Sequence, residues 1–282
     1  MSQFETILYD VEDRIAVITF NRPDRMNAMS IKLCEEVSAA IEQADTDDDI
    51  KVVIITGAGG RAFSAGYDIK DDPDDKMELG KSGVVEGRWR LNHDLQYTYS
   101  PWRCSKPVIA MIDGYCLAGA LEFAQMCDVR YASEESVFAV IETRFANGVA
   151  TLAMPWILGA RSRELIYTGD KISAEEALRI GLINRIFPKE ELREQTMRIA
   201  KRMALIALPT LQWNKRAINH TYETMGFSAA LQYGLEACVM MDATPSPESV
   251  RFGEMSRDEG LTAAIRWRDA QFAELDDPPR KP

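Results

Sequence analysis

Long apolar segments are missing from this sequence. No run of about 18 apolar residues, the length that suggests a membrane-spanning helix, occurs in the chain. The first residues, Met1-Ser2-Gln3-Phe4-Glu5, do not form a basic region followed by an apolar stretch. We therefore expect a soluble protein without a secretory signal and without a membrane partner.

Histidine is rare, and cysteine occurs without a recognisable pattern. With only His93 and His220, the sequence predicts neither a histidine triad nor a multi-histidine metal centre. The cysteines are odd in number and lack the spacing of metal ligands: Cys34, Cys104, Cys116, Cys127 and Cys238. This usage is typical of reduced, buried thiols in a cytoplasmic protein, and we expect no catalytic cysteine and no metal.

Positive charge is under-represented. The chain has 33 Lys and Arg against 44 Asp and Glu, a formal net charge of −11. This balance argues against nucleic acid or an anionic membrane as the main partner. It is compatible with an anionic small molecule, because a few well-placed Lys or Arg side chains can bind phosphates.

The elements that are present indicate an α/β fold. Residues 4–9 and 15–20 read as a hairpin, and residues 52–55 and 107–112 read as buried parallel strands. Between them Ser30 is a plausible N-cap for a helix, and the polar residues 71–82 read as a mobile loop beside the site. Strands alternate with helices in this part of the chain, so ligand chemistry is expected where strands end.

Strand signals cease after about residue 188, and helices are predicted at 190–208, 211–225, 228–241 and 261–272. We therefore divide the chain into a core at 1–195 and a helical region at 196–282. The predicted helices are rich in apolar residues, including Trp213, Leu231 and Leu235. This favours packing against a neighbouring subunit, with packing on the chain's own core as the alternative.

A stretch of small residues, GYCLAGALEFA at 114–124, runs directly into a helical pattern. If Gly119 begins the helix, its N–H is an unpaired first-turn donor at the positive end of the helix dipole. A second N–H from Ala65-Gly66-Tyr67 would complete an oxyanion hole. The alternative is that these small residues only permit close packing of a strand against a helix.

Two glutamates, Glu122 and Glu142, lie among apolar neighbours. Desolvation raises the pKa of a carboxyl group, and two facing carboxyl groups are pushed apart in pKa. Such a pair provides one acid and one base, or holds one water between them. The alternative for each glutamate is a structural residue held in a salt bridge.

Over residues 4–220 the sequence resembles the crotonase (enoyl-CoA hydratase/isomerase) family. The motifs that carry the resemblance occur in the same order: NRP at 21–23, VIITGAG at 53–59, AFSAGYDIK at 62–70, KPVIA at 106–110, GY at 114–115, CD at 127–128 and TGDKISAEEA at 168–177. The resemblance implies a spiral of ββα units with a C-terminal helical region for oligomerisation. It also implies an acyl-CoA substrate and assembly as a homotrimer or a dimer of trimers.

The resemblance implies a role for individual positions. The N–H groups of Tyr67 and Gly119 match the oxyanion-hole donors for the thioester carbonyl. In a hydratase Glu122 would activate water for attack on the β-carbon, and Glu142 would deliver a proton to the α-carbon. The residues that match the coenzyme A contacts are Arg25, Ala28, Ala65, Gly66, Asp68, Ile69 and Lys70. No cofactor is implied beyond the coenzyme A that is part of the substrate.

The sequence departs from the family pattern near both glutamates. Tyr67 stands where Ala is usual, and Ala118-Gly119-Ala120 replaces a run of three glycines. The family usually has a Gly-rich run such as IPGAGG after the second glutamate, whereas TRFANGVA at 143–150 is about three residues shorter. Arg144 and Asn147 in this loop are expected either to contact a polar acyl group or to anchor Glu142.

Three functions are consistent with this pattern. The first is an enoyl-CoA hydratase. The second is another crotonase-family reaction through a thioester enolate, either double-bond isomerisation or hydrolytic C–C or C–X cleavage, which the altered loop favours. The third is a noncatalytic acyl-CoA-binding protein. A dinucleotide enzyme is disfavoured, because GAGG at 57–60 is not followed by the helix glycine and acidic ribose ligand that such a site needs.

Overall fold

Two β-sheets organise the chain in the computed structural model, which describes residues 4–69 and 83–276. The described strands are Ile7–Glu12 (β1), Ile15–Phe20 (β2), Val52–Gly57 (β3), Ala62–Ser64 (β4), Val108–Ile112 (β5), Tyr115–Leu117 (β6), Val129–Ser133 (β7), Val137–Ala139 (β8), Ile172–Ser173 (β9) and Arg185–Phe187 (β10). The larger sheet has the order β1-β2-β3-β5-β7-β10, and the smaller has the order β4-β6-β8-β9.

Twelve α-helices accompany these strands in the described ranges: Ile31–Thr46 (α1), Val84–Thr98 (α2), Ser100–Arg103 (α3), Gly119–Met126 (α4), Met154–Leu158 (α5), Ser162–Thr168 (α6), Ala174–Ile180 (α7), Leu192–Ala204 (α8), Leu208–Thr224 (α9), Phe227–Asp242 (α10), Pro247–Asp258 (α11) and Leu261–Phe272 (α12). Short 3₁₀ helices lie at Pro23–Arg25, Ile141–Phe145, Gly159–Arg161 and Lys189–Glu191.

The strand order is built from a repeating unit. In β3-β4, β5-β6 and β7-β8 the first strand joins the larger sheet and the second joins the smaller one. Helical segments follow each pair, so the chain advances as a spiral of ββα turns. Pairing is parallel throughout except at the β1-β2 hairpin and at β8-β9. This confirms the predicted α/β spiral.

Burial on both faces explains the apolar runs of the central strands. Residues 52–55 of β3 and 108–110 of β5 are almost completely inaccessible to solvent. On one face of the larger sheet they pack in the main core with α1 and α4, and on the other face Leu192, Met197 and Ala200 of α8 cover the sheet. Parallel strands covered on both faces lose the apolar and polar alternation of a half-exposed strand.

Several predicted boundaries differ from the structure. The helix predicted at 190–208 spans Leu192–Ala204, and the helix predicted at 211–225 begins three residues earlier, at Leu208. The short strand β6 and the helix α11 were not predicted. The mobile loop predicted at 71–82 lies outside the described residues.

The burial of the cysteines agrees with the expectation from the sequence. All five cysteines are buried free thiols. Every helix in the described part of the chain is too short or too polar to cross a membrane.

The C-terminal helices bury only part of their apolar surface within the chain. Leu235 and Val239 of α10 pack against α2 and the segment around Ala150. Leu231 of the same helix packs against the core near Met126. Trp213 of α9 and Tyr233 of α10 remain 65% and 77% exposed. The chain's own core therefore covers one face of this region and leaves another uncovered.

Lys215 joins α9 to the core. Its ammonium donates to the carbonyls of Pro101 and Lys106 at 2.8 and 3.0 Å and to Asp128 Oδ2 at 2.7 Å. The same Asp128 oxygen accepts the N–H of Val108 at 2.7 Å, at the start of β5. A single buried cation thus links the helical region to the larger sheet.

Replacing Lys215 with Met should lower the free energy of unfolding by about 2–4 kcal/mol, because it leaves Asp128 and two carbonyls without their donor. The matched control is Lys201→Met on α8, whose exposed ammonium pairs with Glu12 and Asp13 at the surface. That change should cost less than about 1 kcal/mol. Equal losses for both variants in chemical denaturation would show that the buried link does not stabilise the fold.

Candidate active site

The helix start at Gly119 is shaped by the residue before it. Ala118 turns the chain between β6 and α4 with φ 53° and ψ −136°. Its N–H donates to Ala139 of β8 at 3.0 Å, and its carbonyl accepts the N–H groups of Leu121 and Glu122. Gly119 therefore opens the helix, and its N–H donates to no acceptor among the described residues. This is the unpaired first-turn donor that the sequence predicts.

The second predicted donor lies on the loop after β4. A parallel bridge pairs Tyr67 with Met29: the Met29 N–H donates to Gly66 and the Asp68 N–H donates to Met29, at 2.9 and 3.1 Å. The Tyr67 N–H points to the other side of this bridge, where the described residues supply no acceptor. A Cβ on Gly66 would lie 3.4 Å from the Gly119 nitrogen, so the two donor segments are adjacent.

The Tyr67 ring explains why residue 119 is glycine. A methyl group on Gly119 would overlap the ring atoms Cδ2 and Cε2 of Tyr67. The ring meets Tyr97 edge-on, with centroids 6.4 Å apart, and its hydroxyl donates to the Asp94 carbonyl at 3.3 Å. Burial raises the pKa of the Tyr67 phenol well above its usual value, so it stays neutral.

Glu122 sits in the first turn of α4, buried and oriented by two backbone donors. The Ala150 N–H donates to Oε1 at 3.0 Å, and the Thr151 N–H donates to Oε2 at 2.8 Å. Burial raises the pKa of Glu122, while these hydrogen bonds act in the opposite direction. Thr151 is held in turn by a 2.8 Å hydrogen bond between its hydroxyl and that of Thr98 on α2.

Glu142 lies on the 3₁₀ helix that follows β8. Its Oε2 is buried and has no hydrogen-bond partner among the described residues. Burial raises the pKa of Glu142 well above its usual value, and the negative charge of Glu122 raises it further. A backbone hydrogen bond also lowers the pKa of Glu142, but Glu122 has more donors that stabilise its anion. Glu142 is therefore the member of the pair that keeps its proton. The site thus combines one potential base with one potential acid.

The shortened loop supports both glutamates. Asn147 donates its N–H to the Glu142 carbonyl at 3.0 Å, and Ala150 and Thr151 at the end of the loop hold Glu122. The Asn147 contact fits one of the two alternatives predicted for that residue, anchoring of Glu142. Backbone donors leave no side-chain signature, so the contacts of Ala150 and Thr151 with Glu122 were missed in the sequence.

Arg144 bonds to residues other than the two glutamates of the site. It donates to the Thr168 carbonyl at 2.9 Å, to Asp170 at 2.7 Å and to Asp276 at 2.6 Å, and its guanidinium lies 4.3 Å from the centroid of the Phe272 ring. Of the two alternatives for Arg144, these contacts fit anchoring of the Glu142 segment.

The segments predicted to contact coenzyme A lie side by side. Arg25 is exposed on its 3₁₀ helix, Ala28 and Ala65 are half-buried, and the Ala65 N–H donates to the Met26 carbonyl at 3.0 Å. Gly66 takes a positive φ of 97°, which glycine adopts without strain.

Asp68 forms an ion pair with Arg22 at 2.8 Å, and Ile69 is half-buried next to it. Lys70 lies outside the described residues. The structure therefore places residues 25–28 next to residues 65–69. Their contact with coenzyme A stays a prediction.

A third acidic group near the site, Asp94 on α2, was also missed. Burial raises the pKa of Asp94 to about 7; the charge of Arg90 opposes the shift and the charge of Glu122 adds to it. The sequence carries a weak signal for it, since Asp94 lies among the buried residues Leu91, Leu95 and Thr98 of one amphipathic helix.

A family model described as Enoyl-CoA hydratase/isomerase matches residues 10–274. The chain belongs to this family. It is therefore an enzyme of the crotonase superfamily, as the sequence motifs indicate. A solved enoyl-CoA hydratase/isomerase from Xanthobacter autotrophicus Py2 is 37% identical and has a TM-score of 0.89, covering 96% of this chain and 99% of that one.

Relatives in the family carry hydratase names. EchA13 of Mycobacterium tuberculosis, named as a candidate enoyl-CoA hydratase, is 37% identical over 81% of this chain and 78% of its own length. The short-chain-enoyl-CoA hydratase of Clostridium acetobutylicum is 31% identical over 77% of this chain and 82% of its own. The fold and the family are thereby confirmed, and the reaction is the remaining question.

Proposed function

We propose that this protein is an enoyl-CoA hydratase, which adds water reversibly and with syn geometry to a trans-2-enoyl-CoA. The observation that carries the proposal is the arrangement of two interacting glutamates beside two unpaired backbone N–H groups. Glu122 is held by two backbone donors, and Glu142 has a buried Oε2 without a partner among the described residues. The hydratase names of relatives at 30–37% identity support it.

In the proposed reaction the thioester oxygen accepts hydrogen bonds from the N–H groups of Tyr67 and Gly119. Glu122 removes a proton from water as the water oxygen bonds to the β-carbon. The electron pair of the double bond moves toward the thioester oxygen and forms an enolate, which the two donors stabilise. Glu142 then transfers its proton to the α-carbon, and a proton moves from Glu122 to Glu142 to restore the site.

The substrate and assembly follow from the same proposal. Coenzyme A would lie along Arg25, Ala28 and residues 65–70. Hydration consumes only water, so it needs no metal or redox cofactor.

The uncovered apolar residues of α9 and α10, including Trp213 and Tyr233, support a homotrimer or a dimer of trimers. Light scattering would show a stable monomer if this assembly is wrong. The buried free thiols are consistent with a cytoplasmic location.

Isomerisation of the double bond is the second candidate. The unpartnered Oε2 of Glu142 favours it, because one free carboxyl oxygen can carry a proton between the α- and γ-carbons. Both reactions pass through the same stabilised enolate, so the oxyanion hole does not separate them.

The test is a panel of enoyl-CoA thioesters of increasing chain length, incubated with the protein in water labelled with oxygen-18 and followed by mass spectrometry. Hydration adds the mass of one water and incorporates the label. A product of unchanged mass with a moved double bond would indicate isomerisation instead. Binding of thioesters without turnover of any member would indicate a noncatalytic acyl-CoA-binding protein.

A further inference from the structure

The 3₁₀ helix that carries Glu142 is in contact with α12 through two pairs of side chains. The Arg144 guanidinium lies 4.3 Å from the centroid of the Phe272 ring. In the opposite direction, the Arg268 guanidinium lies 3.9 Å from the centroid of the Phe145 ring. Each of the two helices therefore supplies one cation and one aromatic ring to the other.

The contacting residues of α12 lie on one face of that helix. Arg268 and Phe272 are four residues apart, and Asp276 continues the same spacing just beyond the helix end. The Asp276 carboxylate accepts hydrogen bonds from both terminal nitrogens of Arg144, at 2.6 and 3.0 Å. We call Arg268, Phe272 and Asp276 the α12 contact face. It binds the 3₁₀ helix by one bidentate ion pair and two cation–π contacts.

The contact between Arg268 and Phe145 is shielded from water. Arg268 is only 7% exposed, and its Nη1 is buried without a hydrogen-bond partner among the described residues. Its Nε and Nη2 donate to the neighbouring Asp269. Phe145 also meets Phe252 of α11 edge-on, with ring centroids 5.1 Å apart. A cation–π contact is strongest when the cation is desolvated, so Phe145 is firmly attached to the C-terminal helices.

The direction of the Glu142 side chain depends on the 3₁₀ helix that carries it. Glu142 lies two residues before Arg144, and the five residues of this short helix are each only partly buried. Glu142 Oε2 has no hydrogen-bond partner among the described residues, so no protein donor fixes the direction of that oxygen. Its direction is therefore set by the backbone, whose position depends on neighbours such as α12.

We propose that Arg268 and Phe272 are positioning residues, which hold the 3₁₀ helix so that Glu142 faces the α-carbon of the bound thioester. This rests on the proposed function, because it identifies the residues that orient its proton donor. It gives α12 a part in the reaction in addition to any part in assembly. A displacement of about 1 Å in a reacting group can cost about 100-fold in rate, so these contacts should affect the chemical step more than substrate binding.

The first test removes the cation of the α12 contact face. Arg268→Met keeps an unbranched side chain and should lower kcat for crotonyl-CoA about 10- to 100-fold, with KM changed less than about twofold. Arg268→Lys keeps a cation near Phe145 and should retain part of the lost rate. Arg266→Met, at an exposed arginine of the same helix, is the matched control and should keep wild-type kcat. Wild-type kcat in Arg268→Met would overturn the proposal.

Phe272→Leu tests the second cation–π contact at a half-buried position, where the fold should tolerate the change. It removes the ring that Arg144 contacts and should lower kcat in the same way, again with little change in KM. Thermal melting identifies any variant that is unfolded. If Arg268→Met does not fold, Phe272→Leu decides the question, and wild-type kcat in that variant would overturn the proposal.

Double variants show whether the effect passes through Glu142. Arg268→Met should cause no further loss of kcat in Glu142→Gln, because the proton donor is already absent. In Gly119→Ala, where the proton donor remains, Arg268→Met should keep its full effect. An equal further loss in both backgrounds would show that α12 supports the site as a whole, and would overturn the positioning role.

Exchange of the α-hydrogens of butyryl-CoA in deuterated water separates this inference from the proposed function. This saturated thioester cannot be hydrated. The small ionised fraction of Glu142 removes an α-proton, the N–H groups of Tyr67 and Gly119 stabilise the enolate, and Glu142 returns deuterium after its proton exchanges with solvent. Mass spectrometry follows the gain in mass.

The outcomes of the exchange experiment are distinct. If the protein hydrates no thioester but exchanges butyryl-CoA, and Arg268→Met slows this exchange at least about tenfold, the positioning role stands and the hydratase proposal fails. If the protein hydrates crotonyl-CoA and Arg268→Met exchanges butyryl-CoA as fast as the wild type, the hydratase proposal stands and the positioning role is overturned. A wild type that neither hydrates nor exchanges would overturn both.

Discussion

Replacing Glu142 with glutamine should lower kcat for hydration of crotonyl-CoA by about 10²- to 10⁴-fold, the range typical of losing a general acid or base. Glutamine has nearly the same shape but cannot deliver a proton to the α-carbon. Glu142 Oε2 has no protein partner to lose among the described residues, so the fold should survive the change. Glu122→Gln should reduce kcat by a similar factor, because the amide cannot remove the proton of water.

Two comparisons make this prediction specific. Glu164→Gln, at an exposed position in the first turn of α6, should keep wild-type kinetics. Thermal melting should show that the Glu142 variant is folded. Unchanged hydration by either Glu122→Gln or Glu142→Gln would exclude the two-carboxyl mechanism, whatever the fate of the other variant.

Gly119→Ala should lower kcat/KM by about 10²- to 10³-fold, the cost typical of one lost oxyanion donor. The cause is steric rather than a backbone preference, since Gly119 is not among the residues with positive φ. The new methyl group would overlap the Tyr67 ring and would displace one or both donor segments. Steady-state kinetics with crotonyl-CoA measures the loss.

The steric explanation predicts a rescue. In the double variant Tyr67→Ala/Gly119→Ala the ring is gone while both N–H groups remain, so most of the lost activity should return. Gly253→Ala is the matched control, because a Cβ there would meet only an Arg257 nitrogen at 3.8 Å. If Gly119→Ala has no effect, or if removing the ring restores nothing, the oxyanion hole is not organised as described.

Local patterns in the sequence predicted most of the architecture. Ser30 caps α1 by accepting the N–H of Leu33 at 3.1 Å, and the apolar run at 52–55 forms a strand buried on both faces. The strand β6 was missed because its three residues pair with β4 and β8, which are distant in sequence. For α11 a signal was present: Ser246 and Ser249 form a capping box, and Pro247 opens the helix.

The candidate site was predictable where it depends on one local element. Gly119 and Glu122 share the first turn of α4, so their proximity follows from helical spacing alone. Asp94 lies near Glu122 only because α2 packs against α4, and no local pattern encodes that contact. The donors of Ala150 and Thr151 belong to the backbone and have no residue type that would identify them.

In the proposed mechanism two glutamates and two backbone donors catalyse hydration. Nuclear magnetic resonance of the product formed from crotonyl-CoA in deuterated water tests it most directly. The two-glutamate mechanism should give a hydroxyl on the β-carbon and one deuterium on the α-carbon, added to the same face of the double bond. Deuterium at the γ-carbon without a new hydroxyl, or no reaction with crotonyl-CoA or any longer enoyl-CoA, would contradict it.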